Sequence, residues 1–156
     1  GCALPSYALP LRAMARAYAK LVFPPASFGA PLREACRRTV SAMMSCPEMI
    51  GGSRRLDTLI MRALRGRVVS KIGAEGVYLA GVLPSPKWKR GLGIAFKIED
   101  GEDKRARPVV ALEILRRLEV LDEKAEAELK EYRSLAIKNR RGDIVGKVFA
   151  DFDLNL

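Results

Sequence analysis

Residues 67–83 read R-V-V-S-K-I-G-A-E-G-V-Y-L-A-G-V-L, and the fold follows from how this stretch changes character along its length. Val68 and Val69 begin a β pattern and residues 77–83 resume it. Between them the small residues Gly73, Ala74 and Gly76, with Glu75, let the backbone reverse or pass close to a ligand. Strands joined by so short a turn are antiparallel, because a parallel pair needs a long crossover. Lys71 stands just before the turn, on rigid sheet rather than on a loop. By residue type alone such a lysine keeps its ammonium in water and lays its stem along the surface. The alternative is a desolvated lysine that takes a proton from a serine nucleophile or polarises it.

Upstream of this hairpin, Leu11, Met14, Tyr18 and Leu21 recur at helical spacing behind Pro10, opposite a basic stripe of Arg12, Arg16 and Lys20. This predicts an amphipathic helix ended by Pro24-Pro25. Leu32, Ala35, Cys36, Val40 and Met43 share one face of a second helix, which Pro47 is expected to end. Residues 49–58, M-I-G-G-S-R-R-L-D-T, read as a loop leading into a short helix with Leu59, Ile60, Ala63 and Leu64. Asp57 or Thr58 is its expected N-cap, the alternative for Asp57 being a carboxylate lining a pocket near Lys71.

Downstream, residues 84–90 make an exposed tip in which Trp88 staples the loop, and Leu92, Ile94, Phe96 and Ile98 alternate as a third strand. Glycines at 91 and 93 point to a sheet face crowded by a packed helix. The acidic turn E-D-G-E-D at 99–103 is expected to cap the next helix rather than bind metal. That helix opens near Pro108 and presents Val110, Ile114, Leu115 and Leu118 to the sheet. A charged helical stretch at 122–132 is anchored by Leu129; a turn at 139–143 then leads to a closing strand with Ile144, Val145, Val148 and Phe149. The order predicts one domain over residues 1–156, an α+β layer with a mainly antiparallel sheet covered by helices. That sheet is incomplete, with an edge for an absent segment or partner to cover.

Composition removes most kinds of chemistry. With no histidine in 156 residues, neither a Ser-His-Asp nor a Cys-His apparatus can form within the chain. Three dispersed cysteines without a C-x-x-C argue against a disulfide framework and for a reducing compartment, so a cytoplasmic location is expected. Neither phosphate-cradling glycine motif is present, and no apolar run is long enough to span a bilayer. The formal charge of +10 raises a second reading, a non-catalytic basic domain binding nucleic acid or a partner protein. It requires that Arg33, Arg37, Arg38, Arg54, Arg55, Arg62, Arg65 and Arg67 converge, whereas basic residues are spread over most segments and aromatics are only 6%. Among nucleophilic systems, serine with lysine as its base survives, yet the nucleophilic S-x-x-K is absent from the chain.

Five blocks carry a resemblance: G-C-A-L-P-S-Y-A-L-P-L-R at 1–12, G-G-S-R-R-L-D-T-L-I-M-R-A at 51–63, S-K-I-G-A-E-G-V at 70–77, G-L-G-I-A-F-K-I-E-D-G at 91–101 and N-R-R-G-D-I-V-G at 139–146. In this order they resemble the C-terminal half of the bacterial L-asparaginase II family, related in fold to serine β-lactamases and glutaminases. The resemblance implies a hydrolase that converts L-asparagine to L-aspartate and ammonia through a serine assisted by lysines. It implies no nucleotide or organic cofactor and usually a homodimer. Lys71 matches the family lysine in K-x-G-A-E, whose expected role is to activate or orient a serine, with Gly73 and Glu75 beside it as substrate-binding candidates. Arg55 and Asp57 match a loop near the pocket and are further substrate-binding candidates. Cys2 matches a cysteine that can ligate zinc together with side chains of the N-terminal half. The family's two serine blocks belong upstream, so the chain is expected to be a C-terminal portion, inactive alone, whose Lys71 amine projects into a cavity that the missing half completes.

Overall fold

A computed structural model describes residues 3–5, 7–102 and 104–154. Helices α1 (Leu11–Val22), α2 (Ala30–Ser45), α3 (Pro47–Gly51) and α4 (Leu56–Ala63) precede the strands β1 (Val68–Ile72), β2 (Val77–Val82) and β3 (Leu92–Lys97). Helices α5 (Ala106–Arg117) and α6 (Glu123–Glu128) and a 3₁₀ turn (Lys130–Tyr132) then lead to β4 (Ser134–Lys138) and β5 (Ile144–Phe149). The fold is α+β, with an antiparallel sheet of order β1-β2-β3 and a separate antiparallel β4-β5 pair.

Strand alternation sends successive side chains to opposite faces. One face, Val68, Ile72, Tyr78, Ala80, Val82 and Ile94, packs in a single cluster with Leu112 and Leu115 of α5 and with Ile60 and Leu64 of α4. The opposite face lies under α1. A Cβ on Gly93 would stand 1.8 Å from the Ala15 carbonyl oxygen, and one on Gly81 2.5 Å from Val22 Cγ1. Gly93 is therefore glycine because the α1 backbone occupies the space, and Gly81 because the Val22 side chain of the same helix does, the crowding that Gly93 announced in the sequence. Val69 completes this side with Val40 and Met43 of α2 and Met61 of α4.

Trp88 is the expected staple: its indole Nε1 donates to the Leu118 carbonyl at 3.1 Å, and its amide donates to Ser85 Oγ at 3.1 Å. Leu129, 2% exposed, anchors the stretch after α6 as anticipated.

Several boundaries differ from expectation for identifiable reasons. Pro47 does not only end α2; its fixed φ also suits the first position of α3, which lies where a loop was expected. Neither Asp57 nor Thr58 caps α4, which begins at Leu56 behind Arg55. Thr58 turns back to donate to the Gly52 carbonyl at 2.6 Å. Among the described residues, no side chain of the acidic turn caps α5. Asp100 instead accepts from the Glu102 amide at 2.9 Å and pairs with Arg105, while Asp103 lies outside the described residues. On α5 the buried residues are Arg107, Pro108, Val109, Ala111, Leu112 and Leu115, while Val110 and Ile114 are half-buried, Ile114 packing against the core from its margin. The last strand does not return to the main sheet: it pairs with β4, a strand the sequence reading left unassigned, in a ribbon with exposed residues on both strands.

Candidate active site

Asp57, Ser70, Lys71 and Ile72 come together where α4 meets β1. In the β1–β2 register Ser70 faces Ala80 and Ile72 faces Tyr78, while Gly73 closes the ladder by donating to the Val77 carbonyl at 2.9 Å. The Ile72 amide is taken by Asp57 Oδ2 at 3.0 Å. The other carboxylate oxygen, Oδ1, accepts the Ser70 hydroxyl at 3.1 Å. Ser70 Oγ also lies 3.1 Å from the Tyr78 hydroxyl; one serine proton serves one acceptor, so Tyr78 donates to Ser70 when Ser70 donates to Asp57. Asp57, Ser70 and Tyr78 are each 0% exposed, so this chain of bonds is shielded from water. Gly51 fits closely behind it: a Cβ there would stand 3.1 Å from Asp57 Cβ.

Lys71 sits at the rim of this buried group. Its ammonium is 3.7 Å from Asp57 Oδ2 and donates to the Ile72 carbonyl at 2.9 Å, with 43% of the side chain exposed. The aspartate is thus an interior anion whose nearest cation reaches water, an arrangement that relieves the cost of burying an unpaired charge. Asp57 also acts on nearby phenols. Burial first, and the Asp57 charge second, push the Tyr18 hydroxyl up to about 12. Burial pushes Tyr78 well above the usual tyrosine range.

The remaining candidates lie around this centre. Gly73 follows Ile72 at the base of the turn. Glu75 is exposed at its tip with φ +57, its carbonyl accepting from Lys97 Nζ at 2.7 Å. Arg55 is exposed, two residues before Asp57, with its carbonyl accepting the first amide of the α4 ladder from Leu59 at 3.1 Å. The structure brings Lys71 and Asp57 into direct contact and leaves Arg55 and Glu75 on the surface nearby. A concavity of about 590 Å³ lies between Asp100, Arg105 and the β4–β5 ribbon, and Lys71 is not among the residues that line it.

Cys2 lies outside the described residues. Among the described residues no group of three or more cysteine, aspartate or glutamate side chains is arranged to hold a metal, so they do not by themselves fit a zinc site. No helix among them is long and apolar enough to cross a membrane. Sequence reasoning missed Ser70 and Tyr78 as partners of Asp57; the signal available was a serine and a tyrosine alternating with Val and Ile on the core face of two adjacent strands.

The family model for L-asparaginase II matches residues 1–150. The chain belongs to the L-asparaginase II family. A search among curated proteins finds no match. The family assignment makes the chain asparaginase-like and amidohydrolase in kind.

Proposed function

We propose that this chain supplies the lysine-bearing strand of an amidohydrolase that converts L-asparagine to L-aspartate and ammonia. The observation that carries the reading is the Lys71–Asp57 pair at the end of β1, within a chain of the asparaginase family. The nucleophile is a serine of an S-x-x-K block, a motif that does not occur in these 156 residues. Its hydroxyl oxygen attacks the side-chain amide carbon of asparagine, and its proton passes to the departing nitrogen, so that ammonia leaves and an acyl ester remains. Water then cleaves the ester to aspartate and restores the hydroxyl.

In this scheme Lys71 orients the serine and balances the negative charge that develops on the carbonyl oxygen. Asp57 is enclosed by protein, so it acts behind Lys71 rather than on the substrate. The exposed Arg55 and Glu75 and the backbone at Gly73 are the groups placed to meet substrate. A homodimer in the cytoplasm, with no organic cofactor and with Cys2 available to zinc, completes the proposal. The nucleic-acid reading gains no support from the basic residues, several of which are engaged: Arg62 with Glu48, Arg67 with Asp122 and Arg37 with Glu34.

The test measures ammonia release from L-asparagine by the full gene product. Lys71→Ala should lower kcat by about 10²-fold or more while the protein stays folded. The 156-residue chain alone should release none. Undiminished turnover in Lys71→Ala would remove the role given to Lys71, and turnover by the isolated chain would remove the external serine.

A further inference from the structure

Arg107 is the second residue of α5 and only 3% of it is exposed. Arginine is seldom this deep unless its guanidinium is used. Its Nη1 donates to the Gly73 carbonyl at 2.8 Å and lies 3.3 Å from the Val77 carbonyl. Those two residues are the last rung of the β1–β2 ladder, so one nitrogen of α5 grips both strands at the mouth of the turn. The turn itself runs through Glu75 at φ +57 and Gly76 at φ +76. A Cβ on Gly76 would stand 2.9 Å from both Ile98 Cβ and the Ile98 carbonyl oxygen.

The peptide between Ile72 and Gly73 links this grip to Lys71. Its carbonyl accepts the Lys71 ammonium at 2.9 Å, and its amide hydrogen goes to Val77. Rotation of that peptide would move the oxygen on which the ammonium rests. The Gly73 carbonyl, one bond sequence further on, is held by Arg107. Fixing it with a charge-assisted bond restrains the rotation.

We infer that Arg107 is a positioning residue for Lys71, acting across the base of the β1–β2 turn to set the peptide that receives the lysine ammonium. The inference rests on the amidohydrolase reading of Lys71, and its test separates the two. In the full gene product, Arg107→Met should leave KM for L-asparagine within about twofold and lower kcat by about a hundredfold, the scale of a small misplacement of a catalytic group. Arg107→Lys keeps the charge without the planar fork and should recover about tenfold of that loss. In both variants the Gly73 amide should exchange with deuterated solvent about tenfold faster than in the parent, the effect of one lost hydrogen bond.

If Arg107→Met does not fold, Arg107→Lys decides: wild-type kcat together with wild-type Gly73 exchange overturns the inference. Unchanged Gly73 exchange in a folded Arg107→Met protein overturns it as well, whatever the activity. Undiminished turnover in Lys71→Ala instead defeats the amidohydrolase reading, and with it the catalytic consequence assigned to Arg107.

Discussion

Asp57 Oδ2 lies 3.0 Å from the Ile72 amide and 3.7 Å from the Lys71 ammonium, so one buried oxygen faces both the edge of β1 and the side chain that β1 presents. This makes Asp57 the fixed point of the group, since its second oxygen also takes Ser70.

Removing that fixed point should cost more than removing anything attached to it. Asp57→Ala leaves the Ile72 amide and the Ser70 hydroxyl buried without their acceptor, and should lower stability by about 3 kcal/mol. Ser70→Ala leaves the buried Tyr78 hydroxyl without its partner while Asp57 keeps its bond to Ile72, and should cost about 2 kcal/mol. Urea unfolding of both variants reads the order directly; a larger loss for Ser70→Ala would contradict it.

Contact between α1 and the sheet can be tested at a single atom. Gly93→Ala places a methyl group 1.8 Å from the Ala15 carbonyl oxygen and 2.7 Å from the Ala19 nitrogen, both backbone atoms that move only with the helix. A loss of about 3 kcal/mol is expected, near the upper end of the usual range for overpacking. At Gly146 the same methyl would meet Ile137 at an ordinary 3.6 Å, so Gly146→Ala should stay within about 0.5 kcal/mol of the parent in thermal unfolding.

Acid should weaken α5 late. The hydrogen bond from Arg116 first, and that from Arg117 after it, hold Glu113 at about 2 against an ordinary 4.5. A depressed carboxylate contributes its stability in full above the unfolded value and loses it as pH falls from about 4.5 toward about 2. Glu113→Gln should therefore flatten the stability profile across that window and leave its slope near neutrality unchanged.

At the alkaline end, Tyr18 works in the opposite sense. Its hydroxyl titrates at about 12 when folded and near 10 when unfolded, so its contribution is complete below 10 and disappears as pH rises between those values. An ultraviolet titration should show Tyr18→Phe lacking one late-ionising phenol, and the variant should lose less stability across the same interval.

Much of this architecture was legible before any coordinates. The 3.6-residue recurrence of Met14, Tyr18 and Leu21 marked α1, and alternation around Val68, Val77 and Ile94 marked three strands. Gly93 announced a helix packed against them. Lys71 and Asp57 were both singled out from their motifs, but a linear pattern cannot say which carboxylate oxygen meets which amide. Asp57 near the start of a short helix looks the same in sequence whether it caps that helix or turns across to β1. β4 was missed because Leu135 and Ile137 give only two alternating apolar residues directly after a charged stretch. Arg107 carried no signal in sequence, since its burial comes from the carbonyls of a turn some thirty residues earlier.

The β4–β5 ribbon closes upon itself. Asn139 Oδ1 accepts the amides of Arg141 and Asp143 at 2.9 and 3.0 Å, so the loop is tied by its own first residue, and every ladder bond joins positions close along the chain. A unit wired so locally can unzip and re-form while the three-stranded layer and its helices stay intact. Two thresholds of melting are therefore expected, and a protease that nicks the ribbon should leave the Lys71 strand folded.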